Sequence, residues 1–386
     1  MPDRLSESSD ERSDQQVVIK VAVAVPLRRL FDYLVPASLP VPQSGCRVNV
    51  QFGSRTMTGL VIDVCDSSLL DKEKLKAVKE VLDSEPLLDN QHLQFLSWVA
   101  DYYLHPAGEV FLSALPKLLR KGKPLRAAEH PYWKITSSGI EELKQGPGRA
   151  VVQHHLLQIL SEAQQAVGPE SLKIASRSWK TAISALLSKG LVERVKEPAD
   201  YEQHSLPAFK ATKDQQHAIE SILAGLNSFK CFLLFGITGS GKTEVYLRCI
   251  AEVLTNRQQA LVLVPEISLT PQLVSRFRQR FNEVIDVLHS GMSDSQRMQA
   301  WNRARQGESS ILIGTRSAIL VPLARPGIII IDEEHDSSFK QQDGFRYHAR
   351  DVAIKRASME AIPVVMGSAT PSLESWHNTQ PVSYTH

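Results

Sequence analysis

Residues Gly236 to Thr243 read GITGSGKT and fit the spacing G-x-x-x-x-G-K-[ST] without a mismatch. The chemistry such residues can do is to hold a triphosphate. Gly236, Gly239 and Gly241 let the backbone turn tightly, so that several N–H groups face one anion, and Thr238 and Ser240 complete the loop. The run Glu244 to Leu254 that follows is helix-compatible and adds its positive N-terminal end. Lys242 is expected to reach the β and γ phosphates, and Thr243 to hold Mg²⁺ through its hydroxyl.

A second group of chemically able residues lies about ninety positions on, at Asp332-Glu333-Glu334-His335. It follows the aliphatic run Ile328 to Ile331, so Asp332 sits at a strand's carboxyl end, where Mg²⁺ needs a ligand. Glu333 is placed to orient or deprotonate an attacking water. Together with the glycine loop, this makes hydrolysis a better reading than binding alone. Three further loops each follow a strand end: PEISLTPQ from Pro265, GTRSA from Gly314, and GSATP from Gly367. Amides and hydroxyls in the first two, Thr315 and Arg316 among them, can hold strand phosphates. In the third, small hydroxyl residues such as Ser368 and Thr370 can sense the γ-phosphate.

These loops need a scaffold. From Ala211 onward, apolar runs at Cys231–Phe235, Ala260–Val264, Ile311–Gly314, Gly327–Ile331 and Pro363–Met366 alternate with helical patterns. That order predicts an α/β lobe with a parallel sheet, its strands covered on both faces. A helix starts at Thr212, which can cap it. The front differs. Short β-branched runs from Val17 to Val64, punctuated by prolines, predict a small β-barrel-like module closed by a helix over His92 to Tyr103. By residue type alone, Asp32 between two aromatics reads as a turn or cap residue. The middle, about 130 to 198, predicts a winged helix, which serves DNA contact and protein contact alike. Leu115 to Arg126, with Lys117, Arg120, Lys121, Lys123 and Arg126, reads as a basic linker, either a phosphate contact or a solvated connector. The expected layout is a disordered tail at 1–15, the front module at 16–115, the basic linker at 116–129, the winged helix at 130–198, a linker at 199–210, and the α/β lobe from 211 to 386.

Composition narrows the class. The 386 residues are 42% apolar and 22% charged with net charge +2, so any basic surface must be local. No membrane-length apolar run or secretory signal is present, which predicts a cytoplasmic protein with no membrane partner. Cys46, Cys65, Cys231 and Cys249 are isolated and read as buried thiols, with no zinc pair among them.

The joint order GITGSGKT, PEISLTPQ, GTRSAIL, DEEH, GSATPS resembles the first RecA-like lobe of superfamily 2 helicases. DEEH followed by HDSSFKQQDGFRYHARDVA resembles the PriA family of primosomal replication-restart helicases (primosomal protein N′). The resemblance implies an aromatic-rich loop, Phe339, Lys340, Gln341, Phe345, Arg346, Tyr347 and Arg350, that couples single-stranded DNA to ATP hydrolysis. Its aromatics would stack bases, and a core role for them reads poorly because charged and amide residues lie between. It implies coupling through His335, Ser368 and Thr370, and adenine recognition by Gln215. VPLRRLFDYLVP, GCRVNVQFG and LKAVKEVLDSEP resemble the family's N-terminal domain, which recognises the 3′ end of a leading strand. Phe31, Asp32, Tyr33, Gly53 and Lys76 fall on its terminal-nucleotide pocket, which turns Asp32 into an acceptor for a 3′-hydroxyl.

The resemblance implies a bacterial, nucleoid-associated 3′→5′ DNA helicase that uses ATP and Mg²⁺, recognises abandoned forks and initiates primosome assembly. Primosome proteins and single-stranded-DNA-binding protein would be its partners. The match stops near Trp376, and the family's zinc cysteines, second lobe and its arginines are not in this sequence. The expectation is an amino-terminal portion that binds DNA, binds ATP, and turns it over little. The rival readings are a phosphate-loop NTPase of another class and a catalytically idle fork-binding protein.

Overall fold

The computed structural model describes residues 17–65, 67–68, 71, 74–125, 132–146, 150–163, 166–168, 171–172, 176, 178–195 and 210–378. The expected tail at 1–15, Arg126, parts of the middle segment such as 169–170, and the linker up to 209 lie outside them. The described residues form two compact units, one from those before 126 and after 203, the other from those between.

The first unit opens with a closed barrel of β1 (Val18–Val23), β2 (Phe31–Leu34), β3 (Arg47–Phe52), β4 (Arg55–Cys65) and β5 (Lys76–Val81), in the order β1-β2-β5-β3-β4. Alternation fills it. Ile19, Val21, Val48, Val50, Val61 and Val78 point inward and are buried together. Asp32 lies within β2, opposite Lys20 of β1, and is neither a turn nor a cap residue. Side-chain polarity suggested a loop there, but the aromatic and aliphatic neighbours decide the strand.

Helix α1 (Asn90–Tyr102) starts at Asp89, whose carboxylate accepts the His92 N–H at 2.7 Å. Helices α2 (Ala107–Ser113) and α3 (Lys117–Arg120) follow. The expectation of a solvated connector at 115–125 is corrected. Leu119 is fully buried, and the buried Arg47 guanidinium donates to the carbonyls of Leu119 (2.7 Å) and Lys123 (2.8 Å) while pairing with Asp83 at 2.7 Å. A leucine every third or fourth position outweighs the basic composition. Lys117, Lys121 and Lys123 remain exposed on that segment.

Its second part is a parallel sheet in the order β10-β11-β9-β12-β13-β8, built from β8 (Cys231–Phe235), β9 (Gln259–Leu263), β10 (Ile285–Leu288), β11 (Ile311–Gly314), β12 (Pro326–Asp332) and β13 (Val364–Ser368). β9 and β11 are buried throughout, as runs covered on both faces should be. β8 departs from that expectation. Among the described residues it is an edge strand paired with β13 alone; Cys231 to Leu234 are half-buried, and Phe235 is 57% exposed. β10 has no counterpart in the sequence reading because Asp286 interrupts its apolar run; that buried carboxylate is held by Arg303. α1, α2 and α3 share one apolar core with the sheet's helices: Trp301 donates its ring N–H to the Ala114 carbonyl at 2.8 Å, and His92 Nε2 lies 3.0 Å from the Leu320 carbonyl.

The second unit holds β6 (Tyr132–Ile135), α4 (Ser137–Lys144), α5 (Val151–Glu162), α6 (Trp179–Ser188) and β7 (Val192–Val195). β6 and β7 pair antiparallel, and Leu156, Leu160, Ile183 and Leu186 pack with the edge-to-face pair Trp133–Trp179. Among the described residues, no helix is long and apolar enough to cross a membrane.

Candidate nucleotide site and nucleic-acid interface

β8 runs into the loop 236–241, and the loop runs into helix α8 (Lys242–Thr255). Gly239 and Gly241 take φ of +82° and +85°, a left-handed conformation that a side chain would strain. Gly241 also passes within contact of the Gln215 amide, so an added Cβ there would lie 2.4 Å from Gln215 Nε2. The Lys242 ammonium donates to the Gly236 carbonyl at 2.8 Å, which folds it over the loop. Thr243 stands at the second position of α8.

Gln215 lies in the first turn of helix α7 (Lys213–Leu223). Its Oε1 accepts the Thr212 N–H at 3.0 Å, and Thr212 caps the Gln215 N–H in return. Its Nε2 donates to the Ser240 carbonyl at 2.9 Å, which ties the helix start to the glycine loop. By inventory, one N–H and one oxygen lone pair of the amide remain for a base. Beside it an open hollow of about 670 Å³ is lined by Thr212, Gln216, His217 and Arg248.

Asp332 ends β12, two strands from β8, and Tyr246 of α8 donates its phenol O–H to Asp332 Oδ1 at 3.0 Å. Burial raises the Asp332 carboxyl above its ordinary range, with the Glu333 charge adding to it; the Tyr246 hydrogen bond and the Lys242 charge pull the other way. The Tyr246 phenol is pushed well up, chiefly by burial. Glu333 takes φ of +50°, a left-handed strain that sets it apart from the strand. Glu334 turns inward. It is fully buried, pairs with Arg350 at 3.3 Å, and accepts from the Ser372 N–H and the Ser375 hydroxyl at 2.8 Å each. His335 Nδ1 lies 2.7 Å from the Ser368 hydroxyl, which also accepts the Thr370 N–H at 3.1 Å.

The aromatic loop differs from its expectation. Phe339 is fully buried in the core, and Tyr347 is 6% exposed, so neither ring presents a face for a base. The polar residues between them suggested a surface loop, but a closed loop can turn alternate side chains inward: Lys340 bridges to His348, and Gln341 N–H donates to the Tyr347 carbonyl at 2.8 Å. Phe345 stacks on Tyr347 with centroids 4.7 Å apart and is half-buried. Arg350 points into the Glu334 network, whereas Lys340 and Arg346 are exposed. Arg316 donates to the Ser338 carbonyl at 3.0 Å, so the GTRSA loop that carries Thr315 is tied to the segment after DEEH.

At the barrel, Tyr33 of β2 pairs with Lys76 of β5. The Tyr33 ring is buried, and its hydroxyl donates to the Gln51 carbonyl at 3.2 Å. Gln51 in turn donates to the Gly53 carbonyl at 3.1 Å, in the exposed turn between β3 and β4. Phe31 meets Phe52 edge-on at 4.9 Å with the Arg29 guanidinium over its ring, and Ser68 donates to Asp32. The five candidate residues thus lie on adjoining strands β2 and β5 and the nearby β3–β4 turn.

Residues 20–116 match the family model for the PriA 3′DNA-binding domain, and residues 212–379 match that for the DEAD/DEAH box helicase. The replication restart protein PriA of Haemophilus influenzae is 45% identical over 96% of this chain. Over nearly all of its length the chain is similar to the PriA family. The PriA of Bacillus subtilis is 35% identical over 91% of the chain. The chain spans about half the length of these curated relatives, 51% and 52% respectively. Among solved structures, RecG bound to a three-way DNA junction is 26% identical over 47% of this chain and 23% of its own, with a TM-score of 0.35, too distant to bear on the site.

The sequence reading gave no role to three residues that meet at the site: Tyr246, one turn after Lys242, Glu334 and Gly367. A lone phenol on a buried helix face was the one available signal.

Proposed function

We propose that this chain is the DNA- and ATP-binding part of a 3′→5′ DNA helicase of the PriA family, one that recognises abandoned replication forks and initiates primosome assembly. The observation that carries the reading is the Tyr246–Asp332 hydrogen bond, which joins the phosphate-loop helix to the acidic strand end beneath one candidate site. The donors present fit the groups they would hold. The left-handed glycines shape an anion cradle, and Thr243 and Asp332 supply the hard oxygens that Mg²⁺ prefers. Bound Mg²⁺ would offset charge on the phosphates.

In this reading, Gly236, Thr238, Gly239, Ser240 and Gly241 surround the phosphates, Lys242 leaves the Gly236 carbonyl for them, and Gln215 reads the adenine with its remaining donor and acceptor. Glu333 orients the water. His335, Ser368 and Thr370 relay the state of the site, and Thr315, Arg316, Lys340, Phe345, Arg346 and Arg350 form or brace the DNA path. Phe339 and Tyr347 serve that path as its packed base. Phe31, Asp32, Tyr33, Gly53 and Lys76 form the pocket for a 3′ end. The layout 16–115, 116–129, 130–198 and 211–386 is kept as the domain assignment, with 116–125 packed on the barrel. Primosome proteins and single-stranded-DNA-binding protein are the partners, in the bacterial cytoplasm at the nucleoid.

The test is binding of a fluorescent ATP analogue and of forked DNA to the chain and to Lys242→Ala. Losing a charged hydrogen bond to phosphate should weaken nucleotide binding about 10–100-fold and leave fork affinity unchanged. Equal nucleotide affinity in the two proteins would overturn the site.

A further inference from the structure

We propose that Tyr246 is a positioning residue for Asp332, and that position 367 is glycine because any side chain there would strike the Tyr246 phenol. The inference rests on the nucleotide reading above.

The geometry leaves little freedom. Tyr246 is 2% exposed, and its hydroxyl donates to Asp332 Oδ1 at 3.0 Å. A Cβ on Gly367 would lie 1.5 Å from that hydroxyl oxygen, 2.8 Å from the ring carbon bearing it, and 3.4 Å from Asp332 Oδ1. None of these atoms is the end of a flexible chain, since the phenol is rigid and its helix is packed against the sheet. Gly367 is also the register partner of Asp332 across β12 and β13, and its carbonyl accepts the Glu334 N–H at 3.0 Å. One glycine therefore touches the phosphate-loop helix, the acidic strand end and, through the chain, Ser368.

The consequence is positional. A carboxylate at a strand end has two soft torsions, and a hydrogen bond to one oxygen fixes its plane and so the direction of the other. Outer-shell donors of this kind orient ligating groups, and their loss costs about 10–100-fold in metal affinity. The phenol does so from a helix that begins with Lys242 and Thr243, so the metal-side acid is registered against the phosphate loop itself.

The experiment measures the Mg²⁺ dependence of fluorescent ADP binding by the whole chain, in wild type, Tyr246→Phe and Asp332→Asn, with thermal midpoints recorded alongside. Tyr246→Phe should raise the Mg²⁺ concentration at half-effect about tenfold while leaving Mg²⁺-free binding within about twofold. Asp332→Asn should abolish the Mg²⁺ effect, and the double variant should be no worse than Asp332→Asn alone. If Asp332→Asn abolishes the effect but Tyr246→Phe does not move the midpoint, or moves Mg²⁺-free binding equally, positioning is wrong and the site stands. If Asp332→Asn leaves the Mg²⁺ dependence intact, the nucleotide–metal reading falls and takes the inference with it. Gly367→Ala should raise the Mg²⁺ midpoint as Tyr246→Phe does; an unaltered Mg²⁺ midpoint in a folded Gly367→Ala chain would also overturn the proposal.

Discussion

His335 Nδ1 lies 2.7 Å from Ser368 Oγ, and this one hydrogen bond joins the end of the acidic segment to the end of β13. Ser368 is fully buried, His335 is exposed, and the Thr370 N–H donates to the same hydroxyl. A change at the acidic segment thus reaches the GSATP turn through this side-chain contact, beside the backbone bond from the Glu334 N–H to the Gly367 carbonyl.

Ser368→Ala should uncouple DNA from nucleotide rather than remove either. Coupling between two ligands is reciprocal and commonly spans about 5–150-fold in affinity. We expect DNA to tighten ATP-analogue binding in the wild-type chain and to do so several-fold less in Ser368→Ala, with DNA-free nucleotide affinity within about twofold. Nucleotide titrations with and without single-stranded DNA read both numbers. Unaltered coupling would leave the His335–Ser368 contact a packing detail.

Asp32 sits on β2 with its carboxylate held by Ser68 and with Lys20 opposite on β1. An ionised acid accepts a hydrogen bond from a 3′-hydroxyl and repels a 3′-phosphate. Asp32→Ala should therefore lose about 10–100-fold in affinity for forks with a 3′-hydroxyl, the cost of a charged hydrogen bond, and almost none for 3′-phosphate forks. Equal losses on the two DNAs would remove the residue from the pocket.

Burial, with the Arg356 charge adding to it, pushes His92 down to about 3, so the folded ring is neutral and donates to the Leu320 carbonyl. The unfolded histidine titrates near 6.5. Its folded value is the lower one, so the unfolded state takes up the extra proton between the two. Stability from this group is complete above about pH 6.5 and falls as the pH drops toward 3, by about 1.4 kcal/mol per unit at most. His92→Gln keeps a donor for Leu320 and should lose less stability than wild type between pH 6.5 and 4, read as a flatter plot of thermal midpoint against pH. Parallel plots would refute the assignment.

The Arg47–Asp83 pair is buried on both sides, with side-chain exposures of 0% and 7%. Removing one partner strands the other charge in the core. Arg47→Met should destabilise the chain by about 3–5 kcal/mol, read in urea, whereas replacing both partners by apolar residues should recover much of that loss. The same substitution releases the carbonyls of Leu119 and Lys123, so proteolysis should then cut near 117–125.

Local signals were strong where chemistry needs contiguous residues. GITGSGKT between an apolar run and a helix specifies strand, loop and helix, because its backbone demands are met within eight positions. The alternation of β3 and the unbroken runs of β9 and β11 were legible for the same reason, since a strand's period is written along the chain. The order of the loops disclosed the family, because those loops stand at successive strand ends of one sheet.

What only tertiary structure decided are relations between distant residues. Nothing local makes Tyr246 meet Asp332 across Gly367, since β13 must first come between β8 and β12. Phe339 and Tyr347 read as exposed because polar neighbours surround them in sequence, yet the loop folds back and turns them into the core. Leu119 was hidden among lysines and arginines until Arg47, far away in the chain, supplied the buried charge that binds its segment to the barrel. Residue type and spacing determine which groups are available and which elements carry them. Packing determines which of those groups face one another, because burial and hydrogen-bond geometry depend on neighbours that the linear chain does not name.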